Sequence, residues 1–400
     1  MWEGTLVDSG GEPSELLVVS PGIPKDHRMI KRAQAQGIAV IGEIELASWF
    51  LGVPIIAVTG TNGKSTTVRL IGSILQQSGR QVFVGGNLGV PLCEAVSRPG
   101  MVSSPPVYEF VVAEVSSFQL ETIHRFRPWI SVFLNVTPDH LDRHPTPEDY
   151  ISAKERIFEN QTTDDVAVVN WDDPLVRSMA VKAPARVYGF SLTGKVERGV
   201  FLVGQTIWAR MDETATPVLH REQLSLRGDH NVANAMAAIG VGLLCHCSIE
   251  SIVQALQKAP VFEHALEPVR EWRGIQFIND SKGTNVDATL KAITSFQEPL
   301  ILILGGKDKG GDFSLLANSI ARQVKRLVVI GEAAPKILKA LGHIKPISRA
   351  GTLQEAVDQA VQAASPGDVV LLSPACASFD MFHNYHHRGI EFKRIVAELH

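Results

Sequence analysis

Residues 54–67 read Pro54-Ile55-Ile56-Ala57-Val58-Thr59-Gly60-Thr61-Asn62-Gly63-Lys64-Ser65-Thr66-Thr67. The apolar run from Pro54 to Val58 predicts a buried strand. The apolar-periodic segment Val68 to Leu75 predicts a helix. Strand, glycine-rich turn, helix is the order that aims backbone N–H groups and the positive end of a helix at phosphate oxygens. Lys64 supplies a charge for the outer phosphates, and the Ser65 hydroxyl is placed for Mg²⁺. The pattern G-x-x-x-x-G-K-[ST] would have glycine at position 58, where this chain has Val58. The competing reading is a helix-capping loop with an exposed lysine. Flanking strand and helix favour the phosphate loop.

Working outward, 400 residues are enough for two or three domains. Apolar residues make up 45% and charged residues 20%, as in ordinary globular proteins. A net charge of −4 gives no basic excess for nucleic acid or an anionic membrane. No apolar run has the length of a membrane span, and Met1-Trp2-Glu3-Gly4 does not open a signal peptide. Four cysteines are too few for a disulfide scaffold, and Cys245-His246-Cys247 lacks a second ligand pair at zinc spacing. The expectation is a reduced, cytoplasmic, soluble protein, and separately a monomer.

Upstream, residues 1–51 are short for a domain. Leu16–Val19 and Ile38–Ile41 read as strands around a helix from Asp26 to Gln36 that Gly37 stops. No glycine-rich fingerprint precedes them, which suggests a partial α/β unit. Downstream, residues 52–259 form a second unit. Gln81 to Val84 leads into Gly85-Gly86-Asn87-Leu88-Gly89. The apolar strand Phe110–Ala113 ends at Glu114, where a carboxylate for Mg²⁺ belongs in an open parallel sheet, or where a loop acid simply meets solvent. Ser131 to Val136 is another strand, opening into Thr137-Pro138-Asp139-His140-Leu141-Asp142-Arg143-His144. Thr146 is a good helix N-cap with Pro147 at the first helical position. In that helix Lys154 shares a face with Tyr150, Ile151, Ile157 and Phe158. It either snorkels to solvent or is held inside a site.

Val166–Asn170, Ala185–Phe190 and the Val200–Ala209 region read as strands, the last with hairpin character. Gly228-Asp229-His230-Asn231-Val232-Ala233-Asn234 opens an alanine-rich helix. Asn231 and Asn234, three apart, either touch a nucleotide or cap the helix start. Residues 260–400 alternate strands (Ile275–Ile278, Leu300–Leu304, Leu327–Ile330, Val369–Leu372) with helices that include Thr352–Ala364 and Ile390–Leu399. That rhythm predicts a doubly wound, mostly parallel α/β sheet with ligands at the strand C-termini. Those ends carry Asn279 to Asn285, Gly305 to Asp312 and Ser373 to Asp380.

The strings GTNGKST, GGNLG, AEVSSFQLE, LNVTPDHLDRH with Lys154, GDHNVANA, NDSKGTNVDAT, GGKDKGGDF and LLSPACASFD together resemble the Mur ligases, the ATP-dependent amide-bond ligases of peptidoglycan synthesis. They cover nearly all of residues 50–400 in the family's order. The resemblance implies three α/β domains: a truncated N-terminal Rossmann-like domain (1–51) for the UDP-substrate, a central P-loop ATPase-like domain (52–259), and a C-terminal Rossmann-like domain (260–400) for the amino acid. AEVSSFQLE and SPACASFD point to the D-glutamate-adding branch, with UDP-N-acetylmuramoyl-L-alanine as donor and an acyl phosphate as intermediate. By motif match, Gly60, Thr61, Asn62, Gly63, Lys64, Ser65 and Thr66 would hold ATP, joined by Asn231, Asn234 and Asp280. Ser65 and Glu114 would hold one Mg²⁺, and His140 and Lys154 the second, with Lys154 resembling a carbamate. Lys64, His140 and Lys154 are the implied catalytic residues. Asn87, Ser116, Lys282, Thr284, Lys309, Ser378, Phe379 and Tyr385 would contact substrates.

The family's P-H-R-x-E reads Glu263-His264-Ala265-Leu266-Glu267 here, so Ala265 stands where an arginine is expected to reach ATP. Arg270 or Arg273 are candidate substitutes. Two other readings compete. A folylpolyglutamate synthase shares the phosphate loop but not SSFQLE or SPACASFD. A non-catalytic ATP-binding remnant is suggested by the short N-terminus and Ala265.

Overall fold

The structure is a computed structural model that describes residues 14–96, 107–137, 139 and 143–400. His140 lies outside the described residues. The chain divides into two compact units: Met1–Val136, Arg143–Gln223 and Ala233–Lys258 in the first, Thr137–Asp142, Leu224–Val232 and Ala259–His400 in the second.

In the first unit, Leu16–Val19 pairs in parallel with Ala39–Gly42 across the helix Arg28–Ala35. That helix stops before Gly37, whose φ of 72° a side chain would resist. The larger sheet has nine strands. From one edge they are Thr216–His220, Thr206–Arg210, Gly199–Val203, Arg186–Ser191, Val166–Asn170, Ile130–Phe133, Ile55–Thr59, Phe110–Glu114 and Val82–Gly86. All pairs are parallel except the two among the first three strands. Every residue of Ile55–Thr59 is buried, which accounts for its unbroken apolar run: helices cover both faces of such a strand. From this strand the chain goes to one side (Val82–Gly86, Phe110–Glu114) and then crosses to the other (Ile130–Phe133). A crevice therefore opens at the C-terminal end of Ile55–Thr59.

The expected strand from Ser131 to Val136 ends at Phe133. Beyond it the peptide groups turn to other partners: the Asn135 carbonyl accepts from Thr61 N (2.9 Å) and Val136 N donates to Asp173. The helix Pro147–Glu155 starts as expected, with Thr146 Oγ1 accepting from Asp149 N and Pro147 at the first position.

The second unit holds a six-stranded sheet in the order Glu267–Trp272, Ile275–Asn279, Val369–Leu372, Leu300–Gly305, Val324–Ile330, Ile347–Arg349. Only its first pair is antiparallel. Its core lies on both faces, with Leu302, Leu304, Leu327 and Phe313 on one side and Ile301, Ile303, Val357 and Phe392 on the other. The edge strand Glu267–Trp272 carries no apolar run, since an edge strand can keep charges toward water. The last helix spans Tyr385–Ala397, starting earlier than the apolar pattern at Ile390 suggests. Asn384 caps it by accepting from His387 N. No helix among the described residues is long and apolar enough to cross a membrane.

Candidate functional site

In the first unit, the residues after Ile55–Thr59 wrap into a loop that ends at the helix Lys64–Gln77. Gly60 and Gly63 adopt φ of 145° and 88°. A Cβ at Gly60 would meet Leu134 and the Asn135 backbone at 3.0–3.4 Å, and one at Gly63 would lie 2.3 Å from Asn234 Oδ1. Both glycines are therefore set by close approach as well as by torsion. Asn135, which the motif reading does not single out, braces the loop. Its Oδ1 accepts from Asn62 N (2.9 Å) and its Nδ2 donates to Asn62 O (3.0 Å).

Lys64 Nζ curls back to donate to the Gly60 and Thr61 carbonyls, both at 2.9 Å. Ser65 Oγ donates to Glu114 Oε2 at 2.7 Å, and Asn87 Nδ2 donates to Glu114 Oε1 at 2.8 Å. Glu114 is 4% exposed. Among the described residues no basic side chain forms an ion pair with it. Its charge is met only by neutral donors, which leaves it suited to a cation.

Lys154 does not snorkel. It is 1% exposed, with Nζ 2.8 Å from the Gly60 carbonyl and 4.8 Å from the centroid of the Tyr150 ring. The Tyr150 hydroxyl lies 3.0 Å from Thr61 Oγ1, so the helix Pro147–Glu155 holds the phosphate loop at two points. Asn234 is buried against Gly63 at the start of the loop helix. The Ser116 hydroxyl closes a capping box with Gln119 at the N-terminus of Ser117–Leu120. Ser117 Oγ and His144 Nε2 are 3.0 Å apart. Burial pushes the His144 imidazole below its ordinary pKa, against the opposing charge of Glu121.

In the second unit, three loops at the strand C-termini gather Asp280, Lys282, Thr284, Lys309 and Ser378. Asp280 is 7% exposed, with Oδ2 accepting from Ser373 Oγ (2.7 Å) and Oδ1 from Leu266 N (3.2 Å). Burial pushes its carboxyl up to about 7 despite those bonds. Lys309 Nζ pairs with Asp139 Oδ1 at 2.7 Å, and Asn285 Nδ2 donates to Asp139 Oδ2 at 3.0 Å. Ser378 is buried, whereas Phe379 is 68% exposed. Tyr385 begins the last helix. Asn231 Nδ2 donates to the Arg227 carbonyl (2.7 Å), which ties the first turn of its helix to the preceding loop.

Arg388 was not singled out from sequence. It is fully buried. Its guanidinium donates to Ser281 Oγ (2.9 Å), Ser281 O (2.8 Å), Cys376 O (3.2 Å) and Ala377 O (3.4 Å). A Cβ on Gly306 would sit 3.2 Å from it. One side chain thus binds two of the three loops and packs on the third. No spacing signal marks it, because its partners lie 11 to 107 residues away.

Arg270 and Arg273 are not substitutes for an arginine at Ala265. Arg270 donates to the carbonyls of Val396, Ala397 and Leu399, each at 3.0 Å. Arg273 donates to His400 O and stacks on Trp272. Both are held at the far end of the last helix, where cations complement the helix dipole and unpaired carbonyls.

Residues 58–242 match the Mur ligase middle domain and residues 266–376 match the Mur ligase glutamate ligase domain. The UDP-N-acetylmuramoylalanine–D-glutamate ligase of Thermoanaerobacter pseudethanolicus is 45% identical over 392 residues, 97% of this chain and 85% of that protein. The enzyme of the same name from Acidobacterium capsulatum is 44% identical over 402 residues, covering 98% and 86%. Among solved structures, the MurF ligase of Thermotoga maritima in complex with ADP aligns with a TM-score of 0.65 at 19% identity, covering 96% of both chains. A MurF from Acinetobacter baumannii aligns at 0.68 and 19%, covering 96% and 86%. With both domain types matched and relatives of this identity spanning nearly the whole sequence, the chain belongs to the Mur ligase family, among the UDP-N-acetylmuramoylalanine–D-glutamate ligases.

Proposed function

We propose that this chain joins D-glutamate to UDP-N-acetylmuramoyl-L-alanine at the expense of ATP, in peptidoglycan synthesis. A carboxylate oxygen of the donor attacks the γ-phosphorus and ADP leaves. The amine of D-glutamate, having lost a proton, attacks the carbonyl carbon of the acyl phosphate. The tetrahedral intermediate then breaks its C–O bond and releases phosphate. The protein's part is to hold the reactants in line and to balance charge.

The proposed roles carry over by motif match. Gly60 to Thr66 cradle the phosphates, and Lys64 swings from its own loop carbonyls to the outer phosphates. Asn234, Asn231 and Asp280 contact the nucleotide. Asn87 orders Glu114 and reaches toward the donor, with Ser116 nearby in sequence. Lys282, Thr284, Lys309, Ser378, Phe379 and Tyr385 receive D-glutamate, its carboxylate replacing Asp139 on Lys309. Residues 1–51, 52–259 and 260–400 serve the UDP-substrate, ATP and the amino acid in turn. The reaction belongs in the cytoplasm, where ATP and nucleotide sugars are available.

The Ser65 hydroxyl and the Glu114 carboxylate form an all-oxygen donor set that suits Mg²⁺, and the lack of a cationic partner for Glu114 among the described residues fits that assignment. His140 and Lys154 would hold a second ion. Bound Mg²⁺ would neutralise phosphate charge. A carbamate on Lys154, formed from the neutral amine and CO₂ with loss of a proton, would give this residue the sign a metal site needs. Its complete burial beside the phosphate loop supports that reading.

The observation that carries the proposal is the Ser65–Glu114–Asn87 chain beside a buried lysine at the phosphate loop. The test is phosphate release from ATP that requires UDP-N-acetylmuramoyl-L-alanine and D-glutamate together. Release with a folate or with L-lysine in place of these, or none at all, would reject it.

A further inference from the structure

At the opposite end of the nine-stranded sheet lies a cavity of about 450 Å³, lined among others by Trp49, Arg125, Arg127, Trp129 and Asp165. Trp129 and Asp165 immediately precede the strands Ile130–Phe133 and Val166–Asn170, and Ile55, also in the lining, opens its own strand. These strands run parallel, so the cavity sits at their N-terminal ends. The phosphate loop leaves the C-terminal end of Ile55–Thr59, about 13 Å further along at ~3.3 Å per residue. The two places are separate.

Its wall is rigid for a reason visible in the hydrogen bonds. Glu45 is fully buried. It accepts from His124 N (2.9 Å), Arg125 N (2.8 Å), Phe126 N (2.9 Å) and the indole Nε1 of Trp49 (2.8 Å). One carboxylate thereby fixes both the plane of the Trp49 ring and the backbone that carries Arg125. Trp129 is fixed from behind by stacking on Phe110, with centroids 6.0 Å apart and planes 23° apart.

The two arginines of the lining are held differently. Arg127 Nε is bonded to Asp165 at 2.7 Å and its NH2 group to Thr162 Oγ1 at 2.8 Å. Arg125 makes no ion pair among the described residues, and its guanidinium lies over the Trp49 ring at 5.7 Å. The cavity therefore offers two held indoles and one guanidinium that forms no ion pair among the described residues. Its volume is that of a small-molecule site. Trp49 remains 41% exposed, an apolar surface that a ligand would cover.

We propose that this cavity is a second ligand site, separate from the phosphate loop, for a planar aromatic acid carrying one negative charge. The ring stacks against the indoles and the anion pairs with Arg125. The test uses the full chain and 2-naphthoate, followed by calorimetry and by saturation-transfer NMR. Saturable binding is expected. It should weaken at least tenfold in Arg125→Gln, and 2-naphthalenemethanol, which has the ring without the charge, should bind at least tenfold more weakly. Trp129→Leu should weaken it similarly. Saturating a non-hydrolysable ATP analogue should change the affinity less than twofold. Absence of saturable binding, unchanged affinity in a folded Arg125→Gln protein, or displacement by the ATP analogue would each overturn the proposal. Arg125 is exposed, so its substitution leaves the fold intact and keeps the test decisive.

Discussion

Gly63→Ala is the substitution whose cost the structure specifies most closely. Gly63 caps the phosphate-loop helix at φ 88°, ψ −11°, a left-handed conformation that costs a residue with a Cβ about 1–2 kcal/mol. The new Cβ would also lie 2.3 Å from Asn234 Oδ1, 3.1 Å from its Cγ and 3.2 Å from its Nδ2. No carbon and oxygen tolerate 2.3 Å, so the Asn234 side chain must leave. Displacing a buried amide adds about 1 kcal/mol or more. The expected total is roughly 2–3 kcal/mol of stability, read from urea unfolding of the purified chain. A double-mutant cycle separates the two parts. In an Asn234→Ala background only the torsional part remains, so the two substitutions should couple by about 1 kcal/mol. Calorimetry with MgATP should show at least a tenfold loss for Gly63→Ala, because the N–H groups of the loop no longer converge. Strict additivity in the cycle, or wild-type stability and nucleotide affinity in Gly63→Ala, would refute the argument.

Three further outcomes are expected. On the proposed carbamate, Lys154→Arg should be inactive, since arginine stays cationic and cannot be modified in that way; activity of the unaltered chain should fall in CO₂-free buffer and return with bicarbonate, as steady-state phosphate release will show. Arg388→Lys keeps a cation but not the five-donor fork that binds the Ser281 and Cys376–Ala377 carbonyls. It should raise KM for D-glutamate more than KM for ATP, at a stability cost of about 2–4 kcal/mol in unfolding experiments. Burial pushes the Glu45 carboxyl up, but the N–H bonds from His124, Trp49, Phe126 and Arg125 outweigh it and hold its pKa below the ordinary value. The stability it confers is thus present above the unfolded pKa and lost as pH falls through the folded one. Glu45→Gln should remove that acid-side dependence and cost roughly 3 kcal/mol at neutral pH, measured as unfolding free energy against pH.

The parts of this protein that a sequence discloses are those with local causes. Ile55–Thr59 is legible because a strand covered on both faces is apolar at every position, and Thr146-Pro147 is legible because a cap and its helix are adjacent. The phosphate loop is legible despite Val58, whose side chain is simply buried in the strand. Glu114 could be placed at a strand end, but not joined to Ser65 and Asn87, which lie 49 and 27 residues away. Asn135 and Arg388 escaped notice for the same reason: each matters through bonds to loops distant in sequence. Arg270 and Arg273 show the converse. Nearness in sequence to Ala265 made them candidates, yet both are committed to the C-terminus of the last helix.

The two lysines at the phosphate loop show how far geometry constrains the chemistry. Lys64 and Lys154 donate to the same oxygen, the Gly60 carbonyl, at 2.9 and 2.8 Å. Two ammonium groups brought to one neutral acceptor repel each other, and the repulsion grows as water is excluded. On the proposed role of Lys64, an arriving triphosphate would relieve it by drawing that side chain outward. Lys154 has no such route, because its helix holds it fully buried and Tyr150 is fixed to Thr61. The proposed conversion to a carbamate would remove the repulsion differently: the nitrogen would lose its charge, and the new carboxylate would be driven away from the carbonyl oxygen. The proposed change keeps one N–H for the Gly60 carbonyl and places an anion beside the loop. On the proposed roles the carbamate would hold Mg²⁺ beside the phosphates, so MgATP should bind more tightly with CO₂ present than in CO₂-free buffer; equal affinity by calorimetry would refute that role.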